Sequence, residues 1–322
     1  MESKAGEKVM RADAKEQLGK ETCELDQLFL NLPAGEAYPQ IQAKAWDGCG
    51  RALFLLALYL DGGYGTFFLD EGLARSYASV ASRAGDPVAP AFSALKDLPG
   101  LGESVRVFVR QREKIRARAA EGDFLAQYYL GTMYAYGEGV DPSYEEALIW
   151  FGKSAAQGFA AAQLAMGSFL RLVSEEKNES WREKRLAWYQ KAAAKGHAEA
   201  QVRLAQEHWL RCHDLEQAGI WYEKAARQGH PGACEIMGYF WESGYLGQAD
   251  PAQALVWYRR AWLRGSPSAC MPLPDCTKKA GVFPSHGNRQ QCGIKGIGGD
   301  RKFVKWGGNF QVSGFSCSKA DA

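Results

Sequence analysis

A histidine and a cysteine one helical turn apart form the pair in this sequence best placed to hold a metal ion. His208 and Cys212 are four residues apart, so a helix would bring both side chains to one face. Imidazole and thiolate are ligands of zinc, but a structural zinc site needs four such groups. The other candidates lie in the tail: Cys276, His286, Cys292 and Cys317. Their spacing fits no zinc finger or ribbon, so we expect no metal and no cofactor.

The overall composition favours no particular class of anionic partner. The 322 residues are 46% hydrophobic and 24% charged, with a formal net charge of +2. Residues after Cys270 carry eight Lys or Arg against three Asp, but these are not interleaved with aromatic residues as in a nucleic-acid groove. We therefore expect no nucleic-acid partner.

The sequence also gives no sign of a membrane segment or a secretory signal. Its strongest apolar run, residues 53–60, is far shorter than the roughly 20 residues that a bilayer crossing needs. Residues 1–20 are mixed in charge and lack the apolar core of a signal peptide. Eight cysteines are too few for a small disulfide scaffold. These features predict a cytoplasmic protein without membrane insertion.

A glycine recurs at nearly constant intervals through most of the chain. The copies are Gly122, Gly158, Gly196, Gly229 and Gly265, with steps of 36, 38, 33 and 36 residues. After each glycine, small and apolar residues follow at a spacing of four, which is typical of one helix face. A second segment then carries an aromatic pair and a small pair. The pattern predicts two helices in each repeat, and hence an all-α solenoid of stacked hairpins.

Each recurring residue type has a physical reason. The glycine follows the second helix, where a left-handed cap is least costly without a side chain. Small residues in the first helix, such as Gly131, let its partner helix come close. The aromatic pairs, such as Trp150-Phe151 and Trp188-Tyr189, are predicted to fill the wider space between successive hairpins.

The best copy of the repeat resembles a known family. The pattern Ala126-Gln127-x-x-Leu130-Gly131, followed by Ala147-x-x-Trp150-Phe151, is similar to the Sel-one-like repeat, a relative of the tetratricopeptide repeat. The resemblance is specific across residues 119–270. It implies a right-handed superhelix of helix-turn-helix repeats that acts as an adaptor or scaffold for a protein partner, without catalysis.

The repeat pattern divides the chain into four segments. Residues 1–47 are expected to form capping helices with some disorder, because a solenoid end must cover its apolar face. Residues 48–118 would be degenerate copies, and 119–270 clear copies. Residues 271–322 would be an irregular or disordered basic, glycine-rich tail. The apolar residues expected to provide the cap are Leu25, Leu28, Phe29 and Leu32.

The same resemblance leaves one enzymatic alternative open, a weak beta-lactam hydrolase or penicillin-binding protein. Cysteine-rich bacterial relatives suggest it, with a Ser-x-x-Lys nucleophile signature. That signature occurs at 93–96, 174–177 and 316–319. The accompanying Ser-Asp-Asn and Lys-Thr-Gly elements are absent, and chance explains such short matches. We therefore favour the adaptor and expect no catalytic residues.

A partner is expected on the concave side, which the first helices of stacked hairpins line. Positions seven and ten after each repeat glycine lie off the core stripe and differ between copies. Tyrosine and arginine often anchor protein interfaces, which favours Tyr129, Arg203 and Tyr239. The predicted partner-binding residues are Tyr129, Thr132, Arg203, Gln206, Ile236 and Tyr239.

Overall fold

A computed structural model describes the chain over residues 21–64, 69–96, 102–173, 179–211 and 213–266. All of these residues belong to one compact unit, Met1–Met271. Every regular element within them is a helix.

The helices follow one another as hairpins. From residue 21 onward, two helices precede the repeats, α1 (residues 21–31) and α2 (Ala34–Trp46). The first helices of the hairpins are α3 (Gly50–Gly62), α5 (Ala89–Lys96), α7 (Phe124–Tyr136), α9 (Ala160–Val173), α11 (Ala198–Leu210) and α13 (Pro231–Ser243). The second helices are α4 (Glu71–Arg83), α6 (Gly102–Ala120), α8 (Tyr144–Ala156), α10 (Glu179–Ala194), α12 (Leu215–Arg227) and α14 (Pro251–Leu263). Each helix from α2 onward packs on the next, which makes this unit an α-solenoid.

The recurring glycine ends each second helix in the left-handed conformation. Its φ is +100° at Gly122, +97° at Gly158 and +83° at Gly229. The amide of Gly158 donates to the Ala155 carbonyl at 3.0 Å and so closes the last turn. The left-handed cap predicted from the sequence is confirmed.

The two residues of each aromatic pair have different environments. In the first three pairs the second aromatic is buried, as for Phe151 and Tyr189, whereas in the last pair it is Trp257 that is buried. A Cβ on Gly131 of α7 would lie 2.8 Å from the Phe151 ring. The preceding tryptophan is half-exposed, and Lys191 Nζ lies 4.5 Å above the ring centre of Trp188. The predicted packing between successive hairpins is confirmed for Phe151, whose ring lies 5.2 Å from that of Phe169 on α9. Trp188 is only partly buried and lies under the Lys191 ammonium group instead.

One side chain joins each of the first helices α7, α9, α11 and α13 to the hairpin before it. The residue five positions after the repeat glycine donates to a carbonyl in the last turn of the preceding second helix. Each of these carbonyl oxygens also accepts the amide of its repeat glycine, so the side-chain bond is a second bond to the same oxygen and ties the next hairpin to it. The pairs are Gln127 to Ala119 at 3.1 Å, Gln163 to Ala155 at 3.3 Å, Gln201 to Ala193 at 3.4 Å, and Cys234 to Ala226 at 3.4 Å.

Helix α1 lies across several hairpins of the stack, whereas α2 packs on α3. The Phe29 ring of α1 is 6.1 Å from that of Phe124 and 6.2 Å from that of Phe159. Lys195, after α10, donates to the Leu30 carbonyl at 2.5 Å. Of the residues expected to form a cap, Leu25 and Phe29 are thus buried against the repeats themselves.

Candidate partner-binding face

Two of the six predicted partner-binding residues are buried. Tyr129 is 2% exposed, and its ring stacks on Phe54 of α3 at 6.3 Å. The Thr132 hydroxyl donates to the Tyr128 carbonyl at 2.8 Å. A side chain of α3 thus contacts α7 directly, although α4, α5 and α6 lie between the two helices in sequence. The prediction that Tyr129 and Thr132 lie on an open face is therefore wrong.

A buried arginine strengthens this contact between α3 and α7. Arg51 of α3 donates to both carboxylate oxygens of Asp26 in α1, at 2.7 and 2.8 Å. It also donates to Asp123, the N-cap of α7, at 3.0 Å, and lies 3.8 Å from Asp86. Burial raises the pKa of Asp26 and Asp86 even though Arg51 opposes it. One guanidinium thus holds α1, α3 and the starts of α5 and α7 together.

The end of α3 and the residues after it reach the later hairpins. The Tyr64 ring lies 5.4 Å from that of His197, at the start of α11. The amide of Leu69 donates to the Gln228 carbonyl at 3.0 Å, and Arg264 donates to the Leu69 carbonyl at 3.0 Å. With α1, these residues cover part of the side on which a partner was expected.

The other four predicted residues remain accessible on α11 and α13. Arg203, Gln206, Ile236 and Tyr239 are all half-buried, with part of each side chain open to solvent. We define the α11–α13 surface by these four together with two aromatic neighbours, Trp209 and Tyr245. The structure therefore brings together two thirds of the predicted set, on neighbouring hairpins.

The sequence pattern missed the two aromatic members of this surface. The Tyr239 ring lies 6.2 Å from that of Trp209, and its hydroxyl donates to the Tyr245 hydroxyl at 3.4 Å. Tyr245 is 43% exposed and lies after α13, where the helical period no longer assigns it a face. The sequence feature that could have indicated Tyr245 is an aromatic residue in the turn after a first helix.

A carboxylate at the edge of the surface neutralises its arginine. Glu199 lies 2.7 Å from Arg203 and accepts a hydrogen bond from His230 Nε2 at 2.8 Å. His230 Nδ1 accepts from the Ala233 amide, which places the ring proton on Nε2. Burial acts to raise the pKa of Glu199, but the His230 bond and the Arg203 charge lower it to about 2. The surface therefore presents aromatic groups beside a paired charge.

Most of the candidate nucleophiles and metal ligands lie outside the part of the chain that the structure describes. The Ser-x-x-Lys segments at 174–177 and 316–319 and the four tail ligands lie outside the described residues, and so does Cys212. The side chains of 93–96 are not among those described, while His208 is half-exposed on α11. Where side chains are described, no three His, Cys, Asp or Glu cluster as metal ligands. No helix in the described ranges has the length and apolar character of a membrane span.

Comparison with known families identifies the repeat. The model of the Sel1 repeat matches residues 50–86, 125–159, 186–197, 198–230 and 231–266. No curated protein sequence matches the chain.

Several solved structures resemble the chain at low identity. A protective antigen of uropathogenic Escherichia coli with an SLR fold is 27% identical over 73% of this chain, with a TM-score of 0.45. This chain spans only 50% of that antigen. A Sel1 repeat protein from Oxalobacter formigenes is 23% identical over 70% of this chain and 90% of its own, with a TM-score of 0.45. An immunity protein from Pseudomonas aeruginosa is 19% identical over 57% of this chain and 67% of its own, with a TM-score of 0.40.

Proposed function

Because this chain carries five Sel1 repeats and belongs to the Sel1 repeat family, we propose that it is an adaptor that binds a partner protein through the α11–α13 surface. Sel1 repeat proteins are commonly scaffolds for protein interaction. The observation that carries the proposal is the cluster of Trp209, Tyr239 and Tyr245 on two neighbouring hairpins. These rings are only partly buried, although the equivalent side of α7 is covered by the chain itself.

The residue types of this surface suit a protein partner. Tyrosine and tryptophan give a large contact area with few rotatable bonds, and arginine adds directed hydrogen bonds. Glu199 already holds Arg203 in place, so binding would cost little side-chain entropy there. A partner segment with an apolar side chain next to hydrogen-bond acceptors would fit between the rings and the two tyrosine hydroxyls.

The test uses the full chain as bait and a matched pair of variants. Proteins that the wild-type chain captures are identified, purified and titrated by calorimetry against an Arg203→Ala, Tyr239→Ala, Tyr245→Ala variant. The control is Ile149→Ala with Ile220→Ala, which removes two exposed apolar side chains from second helices.

We expect the triple variant to bind a true partner at least about tenfold more weakly, since a single anchor contributes more than about 1 kcal/mol. The control variant should bind it as the wild type does. Affinity of the triple variant within about twofold of wild type would mean that the partner uses another surface.

A further inference from the structure

The last second helix among the described residues, α14, carries a tryptophan where the four preceding second helices carry a buried alanine. Three residues before the repeat glycine, the earlier copies have Ala119, Ala155, Ala193 and Ala226, each 2% exposed. The backbone carbonyl at this position accepts the side-chain bond from the following first helix. It therefore marks where the next helix docks. In α14 the position is Trp262, which is 52% exposed.

Trp262 continues an apolar stripe along one side of α14. Leu255, Tyr258 and Trp262 follow the spacing i, i+3, i+7, which places them on one helix face. Tyr258 is half-exposed, with its hydroxyl donating to Glu242 at 2.6 Å, whereas its counterpart Tyr222 is fully buried. Leu255 is 42% exposed. We define the end face as Leu255, Tyr258, Arg259, Trp262 and Leu263.

The charge around the end face restricts what can cover it. From residue 251 to 266 the chain has three arginines, Arg259, Arg260 and Arg264, and no acidic residue, while the nearby Glu242 of α13 is already bonded to the Tyr258 hydroxyl. A second copy packed face to face would bring like arginines together. The chain after Cys270 is also basic, with eight Lys or Arg against three Asp. An acidic partner would complement these arginines and lower the electrostatic free energy of docking.

The shape of the position restricts the occupant further. In each earlier copy, the same side of the second helix receives a first helix, as α12 receives α13. A helix laid on α14 would bury the Leu255, Tyr258 and Trp262 side chains in the same way. We propose that the end face binds an acidic amphipathic helix of a partner protein, at a site separate from the α11–α13 surface. Its apolar stripe would contact Trp262, and its carboxylates would pair with Arg259.

A first helix of this same chain supplies a defined probe. The segment 228–246 contains α13 and its N-cap His230, and its acidic residues are Glu235 and Glu242. The probe is this peptide, labelled with fluorescein and carrying Cys234→Ser, and fluorescence anisotropy follows its binding to the full-length chain. A second peptide with Glu235→Lys and Glu242→Lys tests the charge requirement.

We expect the acidic peptide to bind the full chain, and Trp262→Ala or Arg259→Glu to weaken binding at least about tenfold. The charge-reversed peptide should also bind at least about tenfold more weakly. Tyr245→Ala, on the α11–α13 surface, should leave binding unchanged, so failure of this proposal is distinguishable from failure of the proposed function. Both Trp262 and Arg259 are exposed, and circular dichroism should show that both variants fold.

Three results would overturn the proposal. The first is equal binding of the peptide to the wild type and the Trp262→Ala variant. The second is a concentration-dependent dimer in sedimentation velocity that Trp262→Ala abolishes, since the occupant would then be a second copy. The third is displacement of the peptide by a DNA duplex, which would assign the arginines to nucleic acid.

Discussion

The ring of Phe151 lies directly against the backbone of Gly131, so that a Cβ on Gly131 would be 2.8 Å from Cδ1 of the ring. Gly238 and Tyr258 repeat this relationship in the last hairpin, with 2.6 Å between the added Cβ and Cε1 of the ring. The missing side chain thus gives the aromatic ring of the second helix its place in the hairpin.

Gly131→Ala is expected to lower the free energy of unfolding by about 1–3 kcal/mol, because overpacking outweighs the gain in helix propensity. Gly152→Ala on α8 is the matched control. No atom lies within 4 Å of its added Cβ, so it should raise the free energy of unfolding by about 0.5–1 kcal/mol. Urea denaturation measures both, and a shift of the same sign in the two variants would contradict the packing argument.

The two aromatics of the α10 pair are expected to differ in stability cost. Tyr189→Ala removes a buried ring and should cost about 3–5 kcal/mol. Trp188→Ala removes a half-exposed ring and its contact with Lys191, and should cost less than about 2 kcal/mol. The two losses are compared from the denaturant midpoints of the variants, provided that the m-values are equal. A larger loss of stability for Trp188→Ala than for Tyr189→Ala would show that the tryptophan ring also fills the space between hairpins, as the sequence predicted.

Phe29→Ala should cost about 3–5 kcal/mol, because the ring packs among Tyr59, Phe124 and Phe159. Leu32→Ala, near the end of the same helix but 36% exposed, serves as the control and should cost under about 1 kcal/mol. Hydrogen exchange should rise in α7 and α9 for Phe29→Ala only. Unchanged exchange there would show that α1 does not hold those helices.

Glu199→Gln should reduce the acid sensitivity of the fold. Because the folded-state pKa of Glu199 is about 2, below its ordinary value of 4.5, its ionised form contributes stability above pH 4.5. That contribution is lost as the pH falls from 4.5 through about 2. Wild type should therefore lose more stability than Glu199→Gln across this window, and Glu216→Gln should behave as wild type. Parallel pH profiles for wild type and Glu199→Gln would refute the assignment.

The glycine period was sufficient to predict the hairpins, because a left-handed cap constrains residue type locally. The glycine period did not explain why glutamine recurs in the first helices. Gln163 bonds the Ala155 carbonyl of the preceding hairpin, and this contact exists only when the two hairpins are stacked. The period misplaced Tyr129 because it assigns each residue only to neighbouring helices. The contact with Phe54 joins α7 to α3 across a segment, 87–124, that the family model does not match.

The placement of α1 and of the residues after α3 also changes how the chain must fold. An open array of repeats has only local contacts, so it folds quickly and any part can nucleate it. Here the Lys195 bond to Leu30 joins residues 165 positions apart, and the Arg264 bond to Leu69 joins residues 195 positions apart. Closing such loops costs entropy before any contact forms, which raises the contact order and slows folding. We therefore expect unfolding at one end of the described stack to be coupled to unfolding at the other, unlike in an open solenoid.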